Sequence, residues 1–131
     1  MHLDHIHIYT SDPANVASWF SSNLNGREVW SRQSDDVLRV DVHFPGASLA
    51  ISAAPPHIDD KKSNGGGAGI DHLGFKVEDV DHTYRELMKR GVESLRPPRT
   101  PRLGVRSALI KGPEGIVIEI FHRSANDYNA A

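Results

Sequence analysis

Apolar side chains at Leu3, Ile6 and Ile8 are set between polar ones at the start of the chain, the alternation of a half-buried strand, and the period then changes. After Ser11-Asp12-Pro13 the apolar positions fall at Val16, Trp19, Phe20 and Leu24, the spacing of one helix face. Asp12 is placed to cap that helix and Pro13 to occupy its first turn, where a missing N–H costs nothing; Gly26 is the expected stop. Strand-like runs follow at Glu28–Ser31, Val37–Phe44 and Ser48–Ser52, so the stretch reads βαβββ.

The same order runs again from Ile70. A strand is predicted over Ile70–Val77, a helix over Val80–Lys89 stopped by Gly91, and strands near Val92–Leu95, Val105–Lys111 and Ile116–Phe121. The repeat extends to individual residues: LDHIHIYTSDPANVASWF from Leu3 aligns with IDHLGFKVEDVDHTYREL from Ile70, setting His5 on His72 and Ser11-Asp12 on Glu78-Asp79. Between the copies, AAPPHIDDKKSNGGGAG has the composition of a flexible linker. The expected organisation is one domain over residues 1–131, made of a module 3–52, a linker 53–69 and a module 70–123. Because a βαβββ module cannot bury both faces of its sheet, the two are expected to pair about a pseudo-twofold axis, giving an α+β fold whose curved mixed sheets form a cleft.

Composition narrows the chemistry. At 131 residues and 38% hydrophobic content the chain suits one compact domain, and no apolar run approaches the roughly 20 residues that span a bilayer. The opening MHLDHIHIYT lacks the regions of a signal peptide, so no membrane association and a cytoplasmic location are expected. A net charge of -2, from 15 basic and 17 acidic residues, gives no field for nucleic acid. With no cysteine, any metal must be held by nitrogen and oxygen.

Glu119 stands mid-strand among Val117, Ile118, Ile120 and Phe121, where an unpartnered carboxylate would be costly to bury. With the repeat-related His5 and His72 it makes a two-histidine, one-carboxylate set, which suggests one divalent ion of Fe, Mn, Co, Ni or Zn with open positions for water or substrate. The competing reading makes both histidines core residues bonded to backbone and pairs Glu119 with an arginine such as Arg106. His7 lies two residues beyond His5, hence on the same strand face, and could carry a proton as the catalytic acid or base. The segment RPPRTPRLGVR, read as a stiff loop ahead of a strand, carries Arg96, Arg99, Arg102 and Arg106; a grip on an anionic substrate is expected there, with Arg102 and Arg106 as its contacts. His43, His57, His82 and His122 have no repeat partner and read as surface or packing residues. Trp19 and Phe20 read as helix core, and Trp30 and Phe44 as sheet packing.

The DHI and DHL openings, the GPEG turn and Glu119 within IEIF, in that order over Leu3 to Arg123, resemble the vicinal oxygen chelate superfamily. That superfamily holds glyoxalase I, methylmalonyl-CoA epimerase, bleomycin- and fosfomycin-resistance proteins and type I extradiol dioxygenases. The resemblance implies metal ligands from the first and last strand of each module, here His5, Ala50, His72 and Glu119. Aligning GASLAIS with GIVIEIF sets Ala50 opposite Glu119, so three of the four ligands are kept. Glyoxalase I uses the carboxylate that Ala50 removes. Extradiol dioxygenases carry a tyrosine where Leu109 stands and a histidine upstream, and no histidine occurs between His82 and His122. Fosfomycin-resistance enzymes use a threonine where His7 stands. The implied function is a metal-dependent isomerase or lyase that chelates vicinal oxygens of a small-molecule substrate, with His7 relaying a proton to or from an enolate-like intermediate. The alternatives are an extradiol-type dioxygenase, a fosfomycin-resistance-like transferase, or a metal-free drug- or metabolite-binding protein of the bleomycin-resistance kind. A homodimer is expected.

Overall fold

A computed structural model of the chain describes residues 1–32, 38–55 and 68–124, which belong to two compact units divided between Lys62 and Ser63. The N-terminal unit runs β1 (His5–Thr10), α1 (Pro13–Leu24), β2 (Arg27–Arg32), β3 (Leu38–Phe44) and β4 (Ala47–Ala53). The C-terminal unit runs β5 (Leu73–Lys76), α2 (Val80–Lys89), β6 (Ser94–Arg102), β7 (Val105–Lys111), a 3₁₀ turn (Pro113–Gly115) and β8 (Val117–Arg123). Both are βαβββ, as the hydrophobic pattern predicts, and together they make the α+β, glyoxalase-like fold expected. Residues 56–67 of the expected linker, with His57, and the first residue of the expected third strand, Val37, lie outside the described residues.

The two sheets repeat one topology. Strand order is β1-β4-β3-β2 in one and β5-β8-β7-β6 in the other. In each, the first strand pairs in parallel with the last, and the remaining pairs are antiparallel. A parallel pair needs a crossover, which the helix after the first strand begins. Neither sheet is closed.

Each helix starts where its cap dictates. Asp12 accepts a hydrogen bond from Asn15 N at 3.1 Å and Asp79 accepts one from His82 N at 3.0 Å, satisfying amides that the first turn leaves without partners. α1 ends at Asn25, which takes the left-handed conformation at φ 60°, one residue before the glycine expected to do so. Gly26 is needed for another reason: a Cβ there would lie 2.2 Å from Val42 Cγ1 and 2.9 Å from the Phe44 ring. In α2 the expectation holds, with Gly91 at φ +82° just past the last turn.

The longest departure from the sequence reading is β6. Residues 96–102, expected as a loop, extend the strand through three prolines. β6 is the outermost strand, so Pro97, Pro98 and Pro101 need donate to nothing beyond it, and its register against β7 shifts at three places between Ser94 and Arg102.

In each unit the helix packs on one face of its sheet. Val16, Ala17 and Phe20 of α1 are buried, as are Ile8, Val40, Val42, Leu49 and Ile51 of the sheet it packs on. Phe20 meets Trp19 and Phe44 edge-on, at centroid distances of 5.2 and 6.5 Å. Trp30, expected in sheet packing, is instead 46% exposed on the outer strand β2. In the C-terminal unit Val80 and Leu87 of α2 are buried together with Ala108, Ile110, Ile118 and Ile120. Alternation then turns His5, His7 and Ala50 away from α1, and Ser107, Leu109 and Glu119 away from α2. No helix among the described residues is long and apolar enough to cross a membrane.

Candidate functional site

Strand register carries the repeat down to single positions. His7 pairs with Ala50 across β1 and β4, and Gly74 pairs with Glu119 across β5 and β8, so Ala50 occupies the strand position of Glu119. His72 immediately precedes β5, and its Nε2 lies 3.8 Å from Glu119 Oε1. Both side chains are partly exposed, at 36% and 26%. At Gly74 a Cβ would press on the Phe121 ring at 3.2 Å and stand in ordinary contact with Glu119 Oε1 at 3.9 Å.

Each repeat-related histidine is held by the residue before it. Asp4 Oδ2 lies 2.8 Å from His5 Nδ1, and Asp71 Oδ2 lies 2.8 Å from His72 Nδ1. An ionised carboxylate only accepts, so in both cases Nδ1–H donates, and in the neutral imidazole this tautomer leaves the lone pair on Nε2. This is the orientation that a metal-ligating imidazole takes when a carboxylate supports its other nitrogen. The hydrogen bond from His5 also holds the Asp4 carboxyl below its ordinary pKa. Sequence reasoning missed both aspartates, although the DH dipeptide at the head of each copy was the signal.

The His72–Glu119 pair fits a metal with nitrogen and oxygen ligands. Two such donors, each roughly 2.0–2.2 Å from a shared ion, stand a little over 3 Å apart, which a small side-chain rotation from 3.8 Å supplies. Among the described residues no group of three or more His, Asp or Glu side chains is gathered for a metal. The C-terminal unit therefore brings together two of the three expected donors; the third, His5, belongs to the N-terminal unit.

His7 is tied sideways. Its Nε2 is hydrogen-bonded to Ser52 Oγ at 2.8 Å, and its ring lies 4.8 Å from that of Tyr9. Desolvation, followed by the charges of Arg39 and His5, lowers its pKa below the ordinary histidine value. In register on the same face, Asp41 accepts from Arg39 Nε at 2.8 Å. His122 Nδ1–H donates to the Val77 carbonyl at 2.9 Å, which makes it the packing residue expected.

The basic segment divides by strand face. Arg106 shares the helix-facing side with Ala108 and Ile110, and its Nε and Nη2 donate to the two oxygens of Asp81 on α2 at 2.5 and 2.7 Å. The anion grip expected of Arg106 is thus on the face opposite Glu119, and its guanidinium is already engaged by a carboxylate. Arg102 is exposed at the far end of β6. Arg96 instead falls in the row of Leu109, Glu119 and Gly74. The sequence grouped it with the other arginines and singled out none of its chemistry.

Comparison with known proteins adds the family. The sequence profile of the Glyoxalase/Bleomycin resistance protein/Dioxygenase superfamily matches residues 2–120. An uncharacterised protein of Bacillus subtilis (strain 168), YwkD, is 23% identical over 124 residues, covering 92% of this chain and 96% of that protein. The 4-hydroxyphenylpyruvate dioxygenase of Sus scrofa is 24% identical over 104 residues, which cover 66% of this chain but only 25% of the dioxygenase. Among solved structures, a member of the same superfamily from Sphaerobacter thermophilus DSM 20745 matches with a TM-score of 0.71 at 23% identity, covering 94% of this chain and 98% of that one. At that identity the structural likeness speaks for the fold alone.

Proposed function

Since this chain belongs to the Glyoxalase/Bleomycin resistance protein/Dioxygenase superfamily, we propose that it is a divalent-metal-dependent enzyme acting on adjacent oxygens of a small substrate, as an isomerase or lyase. The observation that carries the reading is the His72–Glu119 pair, 3.8 Å apart on the open face of its sheet, with the imidazole oriented through Asp71. His5, oriented in the same way by Asp4, is the proposed third ligand. When bound, the ion supplies Lewis-acid polarisation of a substrate oxygen.

The chain's own side chains do the rest. Asp4 and Asp71 orient the proposed ligating histidines through Nδ1. His7 is the proposed proton carrier to and from the carbon next to the polarised oxygen, its ring fixed by Ser52 and Tyr9. A second reading, an oxygen-dependent dioxygenase, draws on the likeness to the Sus scrofa enzyme, of which this chain covers a quarter. The tyrosine of the ring-cleaving relatives is replaced by Leu109, which pairs directly with Glu119.

Metal analysis of the purified protein tests the proposal. About one divalent ion per chain is expected, and His5→Ala, His72→Ala and Glu119→Ala should each lower occupancy while circular dichroism stays that of the folded protein. Open sites have few protein contacts to spare, so the loss of one is felt. Full occupancy in all three variants would remove the ligand set. Ultraviolet difference spectra with catechols and with 2-oxo acids then separate the dioxygenase from the isomerase or lyase.

A further inference from the structure

In the C-terminal sheet, the row that begins at Gly74 and Glu119 continues through Leu109 to Arg96 on β6. Arg96 is anchored there by one arm: Nη2 donates to Ser107 Oγ at 2.7 Å, and Ser107 is only 2% exposed. The other arm, Nη1, is buried and has no hydrogen-bond partner among the described residues. No carboxylate of the described residues comes within ion-pair distance of this guanidinium, although Glu119 is near enough to be felt electrostatically. Desolvation is the largest influence on its pKa, acting against the charged form, and the charge of Arg99 adds to it. A buried N–H left without an acceptor costs free energy that an oxyanion at that edge would recover.

We propose that Arg96, held by Ser107, is an oxyanion-binding residue that takes the carboxylate or phosphate of a small acidic ligand lying across the sheet toward His72 and Glu119. Glu119 and Arg96 are two strand spacings apart, roughly 10 Å from backbone to backbone, with Leu109 between them as an apolar floor. A ligand with an anionic group at one end and neighbouring oxygens at the other matches that polarity. A planar guanidinium, unlike the ammonium of lysine, binds an oxyanion through paired hydrogen bonds in a fixed geometry. The subsite deepens the proposed metal enzyme by naming its substrate as acidic, yet its own test needs no metal.

The experiment follows side-chain and amide NMR signals of the full, chelator-treated chain during titration with acetate and, separately, with inorganic phosphate. A saturable shift of the Arg96 Nε–Hε signal, accompanied by the Ser107 and Leu109 amides, is expected with at least one anion. Response to acetate alone assigns a carboxylate and response to phosphate alone a phosphate ester. Arg96→Gln and Arg96→Lys should each weaken the shift of the Ser107 and Leu109 amides about 10-fold or more, as loss of a charged hydrogen-bond pair requires, while Arg27→Gln on the exposed start of β2 leaves it unchanged. Metal binding by Arg96→Gln should equal that of the wild type, and His72→Ala should keep the anion response. The subsite is overturned if neither anion gives a saturable shift, or if Arg96→Gln responds as the wild type does. Absence of metal in the wild type would end the proposed enzyme and leave this result standing.

Discussion

Glu119 and Ala50 stand at equivalent strand positions, and the residue across each parallel pair decides what fits there. Glu119 faces Gly74, which offers no side chain; Ala50 faces His7 and is fully buried. Bulk is exchanged across the pair, so the N-terminal unit gives up its carboxylate where it carries an imidazole. Ala50→Glu should therefore overpack the face beside His7 and Asp41, at roughly 1–3 kcal/mol. Adding His7→Gly should return part of that loss, so the double-mutant cycle from urea unfolding should show favourable coupling. Strict additivity would mean that His7 does not fill the space. At this scale the sequence was informative wherever the repeat made one residue comment on another: the DH dipeptides and the Ala50–Glu119 correspondence are both readable by alignment. The orphaned arm of Arg96 was not readable, because which arginine finds a carboxylate depends on strand face and on a helix 25 residues away from Arg106 in sequence.

The elements that bring those faces about were legible to different degrees. Both helices begin at capping aspartates and end within a residue of expectation, because caps and glycines act locally. β6 was misread, since proline forbids a central strand but not an outer one, and only topology says which strand is outer. Alternation was the neglected clue for Arg106: it shares parity with Ala108 and Ile110, the buried side of β7. Its bond to Asp81 links α2 to the sheet and holds the Asp81 carboxyl below its ordinary pKa. A depressed carboxylate stabilises fully above the unfolded-state value, about 3.9, and loses that contribution as pH falls through the lower folded-state value. Asp81→Asn should accordingly be less stable than the wild type near neutrality, with the gap closing as the pH is taken below 4. Urea midpoints across that range measure it; a gap that does not change with pH would mean the charge on Asp81 contributes nothing.

For the molecule as a whole, the strands at the ends of the two sheets are β1, β2, β5 and β6, and among the described residues no further strand pairs with them. They are defended unequally. The prolines and register shifts of β6 discourage pairing, and Arg27 and Glu28 charge the start of β2. β1 has six residues, no proline and an unbroken register with β4, which leaves its outer edge a regular template. Large side chains also lie open beside these edges: Tyr9 on β1 is 41% exposed, and Val29 and Trp30 on β2 are 37% and 46% exposed. A second copy of the chain can cover such edges and surfaces symmetrically, so a homodimer is expected. Sedimentation at micromolar concentration should give about twice the 14.4 kDa of the chain. Lysine at Tyr9 or at Trp30 should then weaken association at whichever edge the dimer uses, since a buried unpaired ammonium is costly. A clean monomer in the wild type would overturn the expectation, and it would require that the β1 edge be tolerated in solution without a partner strand.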